Sequence, residues 1–440
     1  MKHKLTSAVA FCVAILIVAV QSANAQNSTR TINLKEAIDL SVNNSHLLKQ
    51  NKARITEATA ATKEATERRL PEVSVSGAYL YLPVQPSINM KADTAKRSGG
   101  PKISQAMYGI LNASLPIYTG GKIKYGIESA KFLAQAYTLD AADNREAVIL
   151  NTINAYSNLY KAKAAVALVK ENLDQSNQRV KDFTNLEKNG VIARNDLLKV
   201  SLQSSNIELG LLDAESNYKI ASVNMALMLG LPEQNELMAD AASLQQNYQV
   251  KTIEEYEQQA LQSRNDIGAL ALRKKAADLG IKAVEADYMP NLALTTGYIA
   301  ANIPGFLTLT NAINIGVGVS YNVSSLWKTK SKIDQATARV QQLTANQDML
   351  NDNVRMQINQ AFQAYLLSRK KIEVYQKAVE QAAENYRITK NKYDNSLATT
   401  TDLLDADVAQ LQTKLNVTNA TADAMVAYNK LLQSAGLLNN

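Results

Sequence analysis

Two kinds of hydrophobic pattern occur along this chain. From Ile313 to Val323, apolar residues alternate with small or polar ones, and this period of two predicts a β-strand. Weaker alternation begins at Val73 and at Leu292, and the segment 107–117 completes a set of four predicted strands. Each strand is about ten residues long, which is the length that a tilted strand needs to cross an outer membrane. Two ordinary hairpins that cap a helical domain are the alternative.

Very long helices are predicted by the near absence of helix breakers. Residues 127–189 and 319–435 contain neither glycine nor proline. Apolar residues recur at three- and four-residue steps, as at Ile149, Ile153 and Tyr156, which indicates a narrow coiled-coil stripe. The same spacing continues at Val166, Val169 and Leu173. The chain therefore combines rod-like helices with a few strands.

An internal repeat relates the two halves of the chain. An offset of 206 residues places Ser114 on Ser320 and Lys122 on Lys328, whereas an offset of 219 places Pro71 on Pro290 upstream of the strands. Each half reads helix, strand, loop, strand, very long helix, turn, helix, and such repeats imply a quasi-symmetric assembly. The predicted division is a first repeat at 26–231, a connector at 232–252 and a second repeat at 253–440.

The first 25 residues are predicted to be a secretory signal peptide. Lys2 and Lys4 precede an apolar run from Ala8 to Val20, and small residues at 23–25 resemble a cleavage site. The run is shorter than the roughly 20 residues that a membrane anchor needs. Cleavage would remove Cys12, the single cysteine, and would leave 45 basic against 40 acidic residues.

Composition limits the classes of function. The charge is mild and unclustered, so no nucleic-acid partner is expected. After cleavage, His46 is the only histidine, and no motif for a metal site or a nucleophilic serine is present. We expect no catalytic residue, no metal and no cofactor, and a secreted hydrolase is the least favoured class.

Four spanning strands cannot close a barrel by themselves. The smallest membrane barrels have about eight strands, and an open edge in lipid leaves backbone groups without hydrogen-bond partners. The chain must therefore oligomerise if the strands span a membrane. Three copies would give twelve strands, although these rules alone do not fix the number three.

Short motifs in this order resemble the TolC-type outer-membrane efflux ducts of Gram-negative bacteria. They are Leu70-Pro71 and Met289-Pro290 before strands, Ser114-Leu115-Pro116-Ile117-Tyr118 before Gly120-Gly121, Asn189-Gly190 before Asp196-Leu197-Leu198, and Tyr393 before Asp402-Leu403-Leu404-Asp405-Ala406. The resemblance implies a mixed α/β membrane protein: a homotrimer with a twelve-stranded β-barrel that is continuous with a periplasmic α-helical tunnel. It also implies a passive exit duct with two partners, a periplasmic adaptor and an inner-membrane efflux or secretion transporter.

The resemblance also implies where the periplasmic aperture lies. By motif position, aspartates that ring the pore correspond to Asp402 and Asp405, and six carboxylates in a trimer would attract cations and raise one another's pKa. The alternative is that Asp402 caps the helix that follows Asn395, a role also open to residues 399–401.

Tyr393 corresponds to a tyrosine that helps to keep the aperture closed in similar ducts. The arginine expected five residues later is Ala398, so the usual gate contact is in doubt, and Arg194 is the candidate replacement. Trp327 follows a predicted strand and would lie either in an interfacial aromatic belt or against the strand–helix junction.

Strong turn signals separate the members of each long-helix pair. We expect Asn189, Gly190 and Val191 in the first repeat, and Asn395, Ser396 and Leu397 in the second, to form the tips where an adaptor docks. A periplasmic coiled-coil scaffold or adaptor is the alternative function, because a signal peptide and long helices would suffice for it.

Overall fold

The structure is a computed structural model that describes residues 30–84, 103–244 and 250–438. The predicted signal peptide lies outside these residues, as do parts of the first hairpin loop and of the connector. The helices are α1 (Leu34–Asn44), α2 (His46–Glu67), α3 (Lys122–Lys188), α4 (Arg194–Leu229), α5 (Ile253–Ser263), α6 (Asn265–Glu285), α7 (Ser325–Asp394) and α8 (Thr400–Ser434). The strands are β1 (Arg30–Ile32), β2 (Glu72–Tyr81), β3 (Gln105–Tyr118), β4 (Leu237–Ala239), β5 (Asn291–Ile303) and β6 (Leu307–Ser320).

The long helices are continuous, as the missing helix breakers predict. α3 has 67 residues and α7 has 70, which corresponds to about 100 Å each at 1.5 Å per residue. Among the described residues, no helix is both long enough and apolar enough to cross a bilayer.

One feature of the helices differs from the prediction. The single helix expected before each strand pair is two helices, separated at Ser45 and at Arg264, which are equivalent at the offset of 219. Neither residue has helical backbone angles. Near the first break the Asn44 side-chain amide donates to the Leu229 carbonyl at 2.7 Å, and near the second Arg264 donates to the Ser434 carbonyl at 3.0 Å. Neither break is marked by a glycine or proline. At the first, the Ser45 hydroxyl accepts from the Leu48 amide at 3.3 Å and so caps α2.

The chain forms two compact units, each with segments from both predicted repeats. One comprises Met1–Gln50, Ala141–Asn265 and Asn351–Asn440; the other comprises Asn51–Asp140 and Asp266–Leu350. We call them the core unit and the sheet unit. The repeat boundaries remain a prediction about the sequence.

The core unit is built around Tyr156, which is fully buried. Its hydroxyl is 3.0 Å from the carbonyl oxygens of Ile32 and of Asp240, and it thereby links β1 to the residue that follows β4. β1 and β4 form a small parallel sheet that the sequence analysis did not predict, because three residues are too few to show a period of two. Burial raises the pKa of the Tyr156 phenol, so the neutral hydroxyl is retained.

The sheet unit contains a four-stranded sheet in the order β2-β3-β5-β6, with every neighbouring pair antiparallel. Side chains of one face form continuous rows across the strands. One such row consists of Val75, Leu111, Tyr298 and Ile313. The last strand ends earlier than predicted. The alternating pattern extends to Val323, but β6 ends at Ser320, so Tyr321 and Val323 lie outside it.

Candidate functional site

The two faces of the four-stranded sheet differ in character. One face carries exposed apolar side chains, with Val75 80% exposed and Ile315 77% exposed. The opposite face is mixed: Gly297 lies there between Asn112 and Asn314, and the apolar pair Ile110–Ile299 lies farther along it. A Cβ atom at Gly297 would approach the two amide oxygens to 2.9 and 2.7 Å, so these side chains occupy the space above it. Such a sheet can bury one face in lipid while the other contacts water.

The predicted tips are turns with the same backbone conformation in both repeats. α3 ends with Gly190 at φ 72° and α7 ends with Ser396 at φ 60°, and these residues are equivalent at the offset of 206. The amide of Val191 donates to Leu186 at 2.9 Å, and the amide of Leu397 donates to Lys392 at 2.7 Å. Both are Schellman motifs, in which a left-handed residue ends the helix.

Replacing Ser396 with Gly is expected to raise the free energy of unfolding by about 1 kcal/mol. Ser396 has a left-handed backbone that costs a side-chain-bearing residue about 1–2 kcal/mol and costs glycine little. Thermal unfolding of Ser396→Gly, compared with the control Ser368→Gly at a half-buried position inside α7, would measure the effect. The control should be destabilised, and a loss of stability at both positions would contradict the argument.

The residues that follow these turns are unusually exposed for apolar side chains. Val191 is 67% exposed and Leu397 is 77% exposed. Burying two apolar side chains against a partner would be favourable, so the tips have the character of a docking surface.

Asp402 and Asp405 lie three residues apart on α8 and are both exposed. Asp402 completes a capping box: its carboxylate accepts from the Thr399 amide at 2.9 Å and from the Thr399 hydroxyl at 2.7 Å. Within one chain these hydrogen bonds hold the pKa of Asp402 below its ordinary value. The residue that caps α8 is Thr399, not Asp402, and the Asp402 carboxylate stays exposed while it takes part in the capping box.

Tyr393 contacts α3 rather than an arginine. Its ring stacks on Phe183, with ring centroids 5.5 Å apart and planes inclined by 10°. Burial raises the pKa of the Tyr393 phenol, and a hydrogen bond with Thr400 acts in the opposite direction. Within the described chain no ion pair joins Arg194 to a carboxylate.

A buried ion pair near these residues was not predicted. Arg179 of α3 donates to Asp407 of α8 at 3.1 Å, and the two side chains are only 9% and 1% exposed. Asn172 donates to the same carboxylate oxygen at 3.2 Å, and Arg179 also donates to the Tyr386 hydroxyl at 3.2 Å. Burial opposes the charge of Arg179, but Asp407 outweighs it and raises the pKa of the guanidinium. The network therefore joins α3, α7 and α8.

A sequence signal for this network does exist. Asn172, Ser176, Arg179 and Phe183 follow helical spacing and are all buried, whereas Val166, Val169 and Leu173 are only half-buried. Polar residues thus continue the buried stripe where apolar residues were expected to do so. The sequence signal is therefore a charged residue, Arg179, at a position where the helical spacing predicts burial. This signal does not identify Asp407 as its partner.

Trp327 lies in the first turn of α7, and its side chain is mostly exposed. Packing against the strand–helix junction of its own chain is therefore not observed. The exposed indole remains compatible with an interfacial belt.

Comparison with known proteins places this architecture in a class. The model of the outer membrane efflux protein family matches residues 37–231 and 257–437. The chain belongs to the outer membrane efflux protein family, and it is accordingly an outer-membrane protein of the efflux class. Membership in a family of channel proteins favours a non-enzymatic role.

Individual relatives agree with this assignment. The outer membrane efflux protein BepC of Brucella suis biovar 1 (strain 1330) is 23% identical over 325 residues, which cover 73% of this chain and 70% of BepC. The crystal structure of VceC from Vibrio cholerae has a TM-score of 0.75 at 19% identity and covers 92% of this chain and 96% of VceC. CusC has a TM-score of 0.78 at 19% identity, with 94% and 95% covered. These structures have the same fold, which confirms the predicted combination of long helices with a small antiparallel sheet.

Proposed function

We propose that three copies of this chain form the exit duct of an efflux or secretion system. Their sheets close a twelve-stranded barrel in the outer membrane, and their long helices form a periplasmic tunnel. The duct passively conducts substrates that an inner-membrane transporter and a periplasmic adaptor deliver. Its selectivity for substrates then comes from the transporter.

The observation that carries this proposal is the open sheet with one apolar face. Among the described residues, the outer edges of β2 and β6 have no strand partner. All neighbouring pairs are antiparallel, so β2 and β6 run in opposite directions, and β2 of a second copy can pair with β6 antiparallel. Head-to-tail addition around a closed ring removes both edges from lipid. Two copies would give eight strands, and the choice of three rests on the resemblance to the TolC-type ducts.

Extraction and mass measurement test this function against the scaffold alternative. The duct should leave the membrane fraction only with detergent, should have the mass of three chains after subtraction of bound detergent, and should conduct ions in planar bilayers. An elongated protein that is released without detergent and forms no channels would instead establish a periplasmic scaffold. The similar protein BepC is described as an outer membrane efflux protein, and CmeC of Campylobacter jejuni is described as an outer membrane channel. These descriptions support the duct rather than the scaffold.

The aperture proposal concerns Asp402 and Asp405, whose exposed carboxylates would ring the pore in the trimer. Asn at position 402 keeps a side-chain oxygen that can accept from the Thr399 amide, so Asp402→Asn with Asp405→Asn removes charge while keeping the capping box. At pH 7 the double variant is expected to lose most of its preference for cations in single-channel recordings, because six negative charges leave the pore.

A matched control is Asp348→Asn with Asp352→Asn, two exposed carboxylates of α7 outside the predicted aperture. This variant removes the same number of charges and should keep most of its cation preference. Equal ion selectivity in the native duct and in the Asp402/Asp405 variant would show that these carboxylates do not line the pore.

A further inference from the structure

The two repeats contact each other inside one chain, and we call this the inner contact. The internal repeat then specifies an equivalent contact between two copies. β3 of the first repeat pairs with β5 of the second, and the Ser129 hydroxyl of α3 donates to the Ala276 carbonyl of α6 at 3.0 Å. The offset of 206 carries β3 and α3 onto β6 and α7. The offset of 219 carries β2 and α2 onto β5 and α6. The equivalent of the inner contact is therefore β6 and α7 of one copy against β2 and α2 of the next.

The end of β6 provides independent support for this equivalence. Tyr321 and Val323 continue the alternating pattern but lie outside the strand and are exposed. Their equivalents, Leu115 and Ile117, lie inside β3, which extends to Tyr118 along its partner β5. β6 therefore ends early where its own partner strand is missing from the single chain.

A recurrent groove supports the equivalence among the helices. Each of the seven residues that line a groove between α2 and α3 has its equivalent in a groove of the second repeat, as Arg54 has in Arg273. Only the second-repeat groove has a third wall, which includes Ser129 and Leu133 of α3. In the next copy's first-repeat groove, the corresponding wall would be Gln335 and Arg339 of α7.

We propose that neighbouring copies of this chain bind in the register of the inner contact. In the strands, the pair Leu111–Tyr298 becomes Val317 of one copy opposite Tyr79 of the next. In the helices, Leu133 and Ala276, which line one groove, become Arg339 of one copy and Glu57 of the next. The interface thus places two opposite charges where two apolar residues line the groove inside one chain. This proposal rests on the proposed oligomeric duct and specifies which residues meet in it.

The proposed register agrees with the faces of the sheet, whereas the ion pairs of the inner contact are not repeated between copies. Val317 and Tyr79 both belong to the exposed apolar face, whereas a shift of one residue would place them on opposite faces. The inner ion pair Lys122–Asp287 becomes Lys328 beside Arg68, two cations. Arg68 is itself paired with Glu64 at 3.0 Å, so a carboxylate accompanies this pair. The equivalent of the inner pair Asp140–Arg273 is Asn346 beside Arg54, so this charge pair is not reproduced.

Disulfide cross-linking tests the register in the full-length protein. The variant carries Val317→Cys and Tyr79→Cys in a background with Cys12 also replaced, unless the mature protein lacks it. Within one chain these positions are on opposite edges of the sheet, three strand spacings or roughly 14 Å apart across it, and they are also far apart along the strands. A disulfide can therefore form only between copies. Mild oxidation of membranes should produce covalent dimers and trimers on non-reducing gels.

The matched control is Val319→Cys with Tyr79→Cys, which lies on the same face but is displaced by two residues. Diagonal neighbours are roughly 7–8 Å apart, beyond the usual reach of a disulfide, so its yield should be several-fold lower. A higher yield from the control would overturn the register, and so would trimers that neither pair cross-links. A protein that is monomeric in detergent and forms no channels would instead overturn the proposed duct itself.

Charge exchange tests the helical half of the interface separately. Arg339→Glu and Glu57→Arg should each lower the temperature at which the trimer dissociates on a gel, and the two together should restore most of the loss. Additive losses without restoration would overturn the Arg339–Glu57 contact.

Discussion

Replacing Asp407 by Ala is expected to lower the free energy of unfolding by about 3–5 kcal/mol. The substitution removes one partner of a buried ion pair and leaves the Arg179 guanidinium without its counter-charge. Asn172 also loses its acceptor. Denaturant unfolding of the detergent-solubilised protein, followed by the circular dichroism of the helices, would measure the change.

Two variants separate the charge effect from a general loss of packing. Asp405→Ala removes an exposed carboxylate two residues earlier and should change stability by at most a few tenths of a kcal/mol. Arg179→Leu with Asp407→Leu removes both charges and replaces them by apolar groups, so it should recover most of the stability that Asp407→Ala loses. A double variant less stable than Asp407→Ala would show that the hydrogen-bonded network, rather than charge balance, stabilises the helices.

Introducing charge at both tips is expected to abolish export while trimers stay intact. Val191→Asp with Leu397→Asp places six carboxylates on the three copies, at positions that are apolar and exposed in the free chain. If an adaptor covers these tips, each charge must lose water without gaining a partner, and docking fails. Accumulation of a transported compound in cells, together with trimer content on gels, would measure both effects.

The control for tip docking is Val84→Asp, an equally exposed valine in the sheet unit. It should leave export close to that of the native protein. Unchanged export in the double tip variant would show that the adaptor binds elsewhere, whereas loss of trimers would mean that the substitutions act on assembly instead.

The sequence predicted those features that repeat over many residues or that depend on breakers. The helices α3 and α7, the four long strands and the turns at Gly190 and Ser396 all follow from periodicity and turn signals. The left-handed backbone of Ser396 was not evident from its residue type, and its equivalence to Gly190 is what identifies it. A repeat can therefore transfer backbone information from a glycine to a position that lacks one.

Features set by distant contacts could not be predicted in this way. Arg179 and Asp407 are 228 residues apart in the chain, and only the packing of α3 against α8 brings them together. The hydrogen bond from Asn44 to the Leu229 carbonyl, beside the helix break at Ser45, likewise joins residues 185 positions apart. The early end of β6 is a third case, because its natural partner strand belongs to another molecule under the proposed register.

The open edges of the sheet also govern how the duct is made in the cell. A newly folded copy exposes two unpaired strand edges beside an apolar face, which is the usual template for misdirected strand pairing. The core unit has a hydrophobic interior formed within one chain, so it can fold before the sheet pairs with the sheets of other copies. Assembly with other copies of the chain then competes kinetically with aggregation, and the outcome depends on the local concentration of chains. If the chain is synthesised faster than it is inserted into the outer membrane, the misassembled fraction should increase. Slow synthesis should favour closed channels.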